Sequence, residues 1–419
     1  MYKTKSEKAG AGFLIFLCWL AYSVSYLGKV NYSANIAQVI DFYNVSKAEA
    51  GLPPTFFFFA YGIGQVINGT LCKKYNVRFM IPLSLLTSSI INLVLAGSSN
   101  FSIIKWLWMA NGFSLSILWP SLVRLLSQDL PQRLLSKSSI IMGTTPATGT
   151  LVIYTLSSVF AFWGNFKLAF FVAAFADAVV AVIWLIIFKK VDDTSKRVKN
   201  EENGEEVNSG TAVQIQQTRS ERKLVQITFV LLCLCAIVTN LIKDGLTTWV
   251  PVILKEEYSI MDSISILLTL FLPAVAIFGN MFSMKIHEII SDYITHCAVV
   301  FTVILGSIGV IIGSNNLKIM FLMLMGLLVV SFLASSLNSV VTSIFPMLNK
   351  NKKNSGLYAG VLNGFCYLGS AISSFGLGAV ADRIGWVGVF WCLLFFCALI
   401  CVVLFSYILY QKCQSKAHR

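Results

Sequence analysis

Five ionisable residues interrupt the long apolar stretches of this chain. They are three bases and two acids: Lys29, Arg124, Lys243, Asp177 and Asp244. In hydrocarbon each costs at least about 2.5 kcal/mol, which makes every one a functional candidate. Two ammonium groups that share a cavity would bind an anion, whereas a buried carboxyl can take up and release a proton.

Lys29 and Lys243 hold matching positions in the two halves of the chain, because the interval between them equals the offset between the halves. Each falls a few residues beyond the midpoint of its apolar segment, which corresponds to about 6 Å beyond the bilayer midplane. Transporters built from parallel repeats bind their substrate near the midplane, where the repeats meet. We therefore expect one central anion site with both lysines. The alternative is that each lysine is paired separately, one of them by Asp244.

The other three charges have less specific patterns. Arg124 lies near the end of its segment, where a long side chain reaches the interface or pairs with a helix end. Asp244 follows Lys243 directly, and sequence neighbours do not face each other on a helix, so we expect Asp244 to pair with another helix or to hold Lys243 indirectly. Asp177 is flanked by small apolar residues. It is open to bonding a hydroxyl, to protonation, or to coupling transport to protons.

Composition indicates the class of protein that must hold these charges. Of 419 residues, 56% are hydrophobic and 12% are charged, against roughly 25% charged residues in soluble proteins. This excludes a water-soluble enzyme. Ten scattered Cys without a CxxC pair, and only three His, predict packing roles rather than disulfides or metal ligands. We expect no enzymatic activity and no cofactor.

Apolar segments of about 20 residues predict membrane-spanning helices. The chain offers twelve, at residues 13–38, 52–72, 79–98, 101–126, 138–162, 167–188, 224–253, 264–284, 294–313, 317–345, 356–380 and 387–409. A charged, polar stretch at 189–223 reads as a solvated linker. The prediction is an all-α membrane protein with six-helix bundles at 1–188 and 224–419.

Positive loop residues collect on the side of the N-terminus and the linker. By the positive-inside rule, both termini and the linker face the cytoplasm. The net charge of +13 is therefore attributed to membrane topology and not to nucleic acid. We expect a multi-pass protein of the cell membrane, surrounded by the lipid bilayer and able to function as a monomer.

Polar residues follow helical spacing in several spans and would form stripes along one face of each helix. These stripes coincide with the two lysines, which favours a water-filled cavity over simple helix packing. Together with Lys29, Lys243 and Asp244, the predicted substrate-binding residues are Tyr26, Tyr61, Gln65, Asn338, Asn363 and Tyr367.

Two segments carry a resemblance to a known family. Residues 26–32 and 241–254 resemble the first-span and seventh-span motifs of the major facilitator superfamily, in its sugar-phosphate permease branch. That branch includes glycerol-3-phosphate and hexose-phosphate antiporters. The resemblance implies a fold of twelve helices in two bundles, and it puts Lys29 and Lys243 in the positions of two phosphate-binding arginines.

Two further segments add to the resemblance, one more closely than the other. Residues 119–128, with Trp119, Pro120 and Arg124, look like the fourth-span signature of the branch. Residues 69–78 lie where the superfamily has its loop 2–3 motif, although Lys73 replaces the usual acid.

The chain departs from the branch where substrate contacts are concerned. Lysines replace both arginines and keep the charge without the planar fork. Gln65 stands where the branch can have a lysine, and residues 144–147 lack the substrate-linked histidine. The resemblance therefore predicts the class of the transported anion better than its identity.

The expected function is secondary transport of a small organic anion by alternating access. The anion would be a phosphorylated metabolite, exchanged for phosphate or another anion. Two alternatives stay open: a proton-coupled carrier that uses Asp177 or Asp244, and a transporter-like sensor of sugar phosphates.

Overall fold

The computed structural model describes residues 5–71, 74–130, 132–203, 219–348 and 355–417. Within these ranges the chain forms helices and short connections, without a β-strand. The all-α prediction is confirmed. Part of the expected linker, residues 204–218, lies outside the described residues.

The N-half, comprising spans 1–6, uses long helices with few interruptions. Its helices are Lys5–Ala34 (span 1), Lys47–Leu71 (span 2), Val77–Gly97 (span 3), Phe101–Leu115 and Leu118–Asp129 (span 4), Gln132–Gly143 and Thr145–Phe162 (span 5), and Lys167–Asn203 (span 6). A short helix, Ile36–Tyr43, follows span 1.

The C-half, comprising spans 7–12, repeats this arrangement. Its helices are Arg219–Tyr258 (span 7), Asp262–Thr269 and Phe271–Ile289 (span 8), Tyr293–Asn316 (span 9), Met320–Ser339, a π-helical turn Val340–Ile344 and Phe345–Leu348 (span 10), and Ser355–Ala417 (spans 11 and 12).

Spans 11 and 12 run on from one another through a bend at Gly385. This residue has φ 72° and ψ −176°, a backbone conformation that only glycine adopts readily. Because these two spans form one continuous stretch, the described residues contain 11 stretches that are long and apolar enough to cross a membrane. The last of these, Tyr358–Gln414, contains two spans, so the twelve predicted spans agree with the structure.

The outer surface of the bundle is apolar. Large hydrophobic side chains stand exposed on several spans, among them Phe175 at 73%, Ile186 at 74% and Phe321 at 72% exposure. Such a surface would be unstable in water, but hydrocarbon solvates it as well as a protein interior does. Exposed apolar side chains thus mark the surface that faces lipid.

Buried amides hold span 1 inside the N-half. Asn31 donates to Asn92 Oδ1 of span 3 over 2.8 Å, and Asn111 of span 4 donates to the carbonyl of Gly28 over 2.9 Å. Asn35 donates to Ser157 of span 5, also over 2.9 Å. In hydrocarbon these bonds satisfy polar groups that would otherwise be costly to bury, so they fix the position of span 1.

Asp177 belongs to this interior of the N-half. Its side chain is fully buried, and a Cβ on Gly28 would lie 2.8–2.9 Å from Ser88 Oγ, Asn92 Nδ2 and Asp177 Oδ2. Glycine at position 28 lets the carboxyl pack directly against the backbone of span 1. Asp177 therefore lies behind span 1, within the N-half.

The two halves are tied together at the end of the bundle where span 1 ends and span 2 begins. We call this the distal end, defined by Asp41, Lys47, Lys255, Glu256 and Asp382. Lys255 pairs with Asp41, and Lys47 Nζ lies 3.2 Å from Glu256 Oε1 and 4.0 Å from Asp382 Oδ1. Each pair joins a residue of one half to a residue of the other.

Asp382 also caps a helix of the opposite half. Its carboxylate accepts hydrogen bonds from the backbone N–H groups of Lys47, over 3.1 Å, and Ala48, over 2.8 Å. These are the first residues of span 2, where the helix dipole favours negative charge and the N–H groups have no partner in their own helix. This contact closes the distal end.

Neutralising Asp382 should open the distal end. Asp382→Asn removes a negative charge of the C-half that contacts the N-half. The loss of its charge-assisted hydrogen bonds should shift the ratio of closed to open molecules by about tenfold. The test is the distance between spin labels at Ser99→Cys and Met261→Cys, after replacement of the exposed Cys413. We expect a longer, broader distribution in Asp382→Asn.

The neighbouring exposed charge supplies the control. Arg383→Gln removes a charge from the adjacent position of the same helix without touching the cap of span 2, and should leave the distances unchanged. Equal distributions in Asp382→Asn and the parent protein would show that the contact does not hold the distal end closed.

Candidate functional site

Lys29 lies in a cage of aromatic rings. Its Nζ is 4.1 Å from the ring centre of Tyr61, 4.7 Å from that of Tyr26, 5.2 Å from that of Tyr367 and 6.0 Å from that of Phe57. The residue is only 9% exposed. Aromatic faces attract a cation, and the attraction strengthens when water is removed. Spans 1 and 2 and, from the other half, span 11 all contribute rings.

Hydrogen bonds extend this cage between the halves. Gln65 donates to the hydroxyl of Tyr61 over 3.2 Å, and Asn363 of span 11 donates to Gln65 Oε1 over 2.9 Å. The hydroxyls of Tyr22 and Tyr61 lie 3.4 Å apart, and the rings of Tyr61 and Tyr367 are 4.7 Å apart. The predicted residues of spans 1, 2 and 11 therefore form one connected group.

Lys243 has a different partner. Its Nζ lies 3.2 Å from Asp244 Oδ1, and Ser370 of span 11 donates to Asp244 Oδ2 over 2.5 Å. Asp244 thus bonds to another helix, as expected, and it also pairs with one lysine, as the alternative had it. The expectation that the sequence neighbours Lys243 and Asp244 would not face each other was wrong. The two side chains keep 26% and 22% exposure, so the pair is accessible.

Span 11 contacts both lysine sites. The ring centre of Tyr367 in span 11 lies 5.2 Å from Lys29 Nζ. Ser370, one turn later on the same helix, donates to Asp244, which pairs with Lys243. The two lysines and Asp244 thus meet at the interface of the halves.

Asn338 lies in the C-half part of this region. It accepts a hydrogen bond from Asn240 of span 7 over 3.1 Å, and Cys366 of span 11 lies 3.5 Å from its Oδ1. The π-helical turn of span 10, Val340–Ile344, begins two residues later. Such turns widen a helix locally and are frequent at functional sites. Asn338 is thus linked to spans 7 and 11.

Arg124 lies apart from this group. It donates from Nε to Gln128 Oε1 and from a terminal nitrogen to the carbonyl of Tyr75, each over 3.2 Å. This agrees with the prediction that Arg124 pairs near a helix end. It has no contact with either lysine among the interactions described.

Sequence reasoning missed two aromatic residues of the region. Phe57 lies one turn before Tyr61 in span 2, and that helical spacing is a signal that could have identified it. Tyr154 of span 5 donates to the carbonyl of Thr247 in span 7 over 3.3 Å. It stands at helical spacing with Thr150 and Ser157, a polar stripe in span 5 that could have identified it.

The assembled group can bind an anion. It offers two ammonium groups, tyrosine hydroxyls and side-chain amides, which donate hydrogen bonds to oxyanions. The aromatic rings supply surfaces against which an apolar or sugar face can pack. The individual roles of the nine residues in binding stay predictions.

Relatives with full-length similarity carry transport names. The chain is 23% identical to a "Probable hexose phosphate transport protein" of Chlamydia trachomatis, covering 94% of this chain and 89% of the relative. It is 22% identical to human "Sugar phosphate exchanger 3", covering 81% and 76%. The "Membrane sensor protein UhpC" of Escherichia coli is 24% identical over only 24% of this chain and 23% of its own length.

Solved structures share the fold. A bacterial homologue of the human lysosomal transporter Spinster, in an inward-facing and unoccupied conformation, superposes with a TM-score of 0.76 at 13% identity. The match covers 96% of this chain and 97% of that one. The sequence profile of the Major Facilitator Superfamily matches residues 18–374. The chain belongs to the Major Facilitator Superfamily.

Proposed function

We propose that this membrane transporter exchanges a phosphorylated organic anion for another anion, such as inorganic phosphate, by alternating access. One observation carries the proposal. Lys29 of the N-half lies against Tyr61 of its own half and Tyr367 of span 11, and Ser370, one turn further along span 11, holds the Asp244 that pairs with Lys243 of the C-half. An anion between these lysines would contact both halves of the protein at once.

The names of the relatives support the substrate class. A hexose phosphate transport protein and a sugar phosphate exchanger each align over more than three quarters of their own length. Both names refer to phosphorylated sugars, whose phosphate would suit the lysines and whose ring would suit the tyrosines. The sensor protein aligns over about a quarter of its length, which gives weaker support to a sensing function.

Anion binding would drive the closure of the two halves. Two ammonium groups about 8 Å apart, at an effective dielectric near 20, would repel each other by roughly 2 kcal/mol, and the carboxylate of Asp244 beside Lys243 offsets part of this repulsion. A bound anion replaces this repulsion by attraction to both sides. The loaded carrier then closes more readily than the empty one. Since the empty carrier rarely changes its orientation, each outward step with one anion is followed by an inward step with another.

Lysine in place of arginine affects how the anion is held. Each ammonium acts as a compact charge with three donors and does not form the planar bidentate contact of a guanidinium. The substrate phosphate would therefore be recognised mainly by charge. Selection among organic groups would fall to the tyrosines and amides around Lys29.

The proposal includes an orientation in the cell membrane. Both termini and the segment 189–223 would face the cytoplasm, as the positive-inside rule predicts. The closed distal end would then face outwards, with the central site accessible from the cytoplasm. The N-half, residues 1–188, and the C-half, residues 224–419, would move as two bundles of one functional monomer.

Removing either ammonium should abolish exchange. Lys29→Gln and Lys243→Gln each eliminate a charge-assisted interaction, which corresponds to a loss of about 10- to 100-fold in anion affinity. The measurement is uptake of labelled glucose 6-phosphate into vesicles that contain the purified protein and are loaded with phosphate. Uptake by the parent protein should require the internal phosphate.

Lys105→Gln provides a matched control, because Lys105 lies at the start of span 4 against Trp106 and outside the central group. It should transport like the parent protein. Undiminished uptake in both central variants would refute the assignment of the site.

Asp177→Asn should retain exchange and show no change in its response to a pH gradient. The carboxyl is buried within the N-half behind Gly28 and not between the halves, so an amide of the same shape should substitute for it. Uptake at equal protein amounts, with and without an imposed proton gradient, measures this. Loss of a gradient-driven component would favour the proton-coupled alternative.

A further inference from the structure

A carboxylate paired with one of the two central lysines is unexpected in a site for anions. Asp244 is held there from two sides, by Lys243 at 3.2 Å and by the hydroxyl of Ser370 at 2.5 Å. Ser370 belongs to span 11, so two helices of the C-half determine where the carboxylate lies. It occupies one ammonium group before any substrate arrives.

Among the described residues, few charged groups lie near Asp244. The titratable groups around it come from its own span, from spans 1 and 5, and from span 11: Lys243, Lys29, Tyr26, Tyr154, Cys366 and Tyr367. Phenols and thiols are neutral near neutral pH. With both lysines protonated, the charges are therefore two positive and one negative, which leaves a single net positive charge.

We propose that Asp244 determines the charge state of the transported anion, so that the site accepts a singly charged oxyanion in preference to a doubly charged one. This inference rests on the proposed exchange of phosphorylated anions. One negative charge on the substrate neutralises the site completely. A second one finds no unoccupied ammonium group, and it lies near the carboxylate of Asp244, which repels it.

A purely structural role for Asp244 would give a different result. If Asp244 only joined span 7 to span 11, an amide at this position would still accept the hydrogen bond from Ser370. The charge preference would then survive the substitution Asp244→Asn. This variant therefore separates the charge of the side chain from its contact with span 11.

The test uses two tetrahedral sulfur oxyanions that differ in charge. Vesicles with the purified protein are loaded with inorganic phosphate, and uptake of labelled phosphate is inhibited from outside by sulfate, with two charges, or methyl sulfate, with one. In the parent protein we expect methyl sulfate to inhibit at lower concentration. In Asp244→Asn, sulfate should inhibit better relative to methyl sulfate. The ratio of the inhibition constant of sulfate to that of methyl sulfate should fall by roughly tenfold to a hundredfold.

Two further variants serve as comparisons. Asp177→Asn removes a carboxyl elsewhere in the bundle and should leave the ratio unchanged. Ser370→Ala keeps the charge of Asp244 but removes the hydrogen bond that positions its carboxylate. The ratio should therefore fall as in Asp244→Asn, but by a smaller amount. A ratio in Asp244→Asn equal to that of the parent protein would overturn the inference.

A second measurement requires no folded variant. Phosphate changes from singly to doubly charged as the external pH rises, so uptake by the parent protein at constant total phosphate should fall across this transition, while inhibition by methyl sulfate, whose charge does not change, should stay constant. A rise would overturn the inference. Absence of phosphate exchange by the parent protein at any pH, by contrast, would count against the proposed function itself.

Discussion

A charge inside a bilayer must be solvated by protein, and the central region of this transporter is organised by that requirement. Lys29 is solvated by aromatic faces from spans 1, 2 and 11. Lys243 is solvated by a carboxylate that span 11 positions through Ser370. Both solutions involve span 11, so the two lysines are connected through one helix of the C-half.

The two lysines match in sequence position but not in surroundings. Lys29 has no acid among its close contacts in the described chain, and its charge is stabilised by rings that also repel water. Lys243 is more exposed and already carries a counter-charge. The site is therefore asymmetric. An incoming anion would find the unneutralised charge on the side of Lys29, and the tyrosines there would contact whatever group the anion carries.

Much of the fold could be predicted from the sequence, because hydrophobic length decides where a chain crosses a membrane. All twelve spans were predicted, and even the bend at Gly385 lies between the two predicted segments that it separates. The contact between Lys243 and Asp244 could not be predicted from helical periodicity, since it depends on the conformation of a long side chain. The cage around Lys29 requires knowledge of which helices adjoin, and a single sequence does not contain this.

The contacts among the charged residues of the distal end could not be predicted from the sequence either. Asp382, Glu256 and Lys47 lie near helix ends, where charged residues are common and their types carry little information. Only the packed arrangement reveals that Asp382, in the helix of spans 11 and 12, caps span 2 of the other half. Its hydrogen-bond partners there are backbone N–H groups, which have no signature in the sequence.

The cap that Asp382 provides also locates the surface of the bilayer. Ser46 and Glu49 bond reciprocally through side chain and backbone, whereas the N–H groups of Lys47 and Ala48 depend on Asp382. Once the halves separate, these two amides must hydrogen-bond to water, because hydrocarbon provides no acceptor. The start of this helix thus lies outside the hydrocarbon when the halves separate, and a thicker membrane that submerged it would hold the distal end closed.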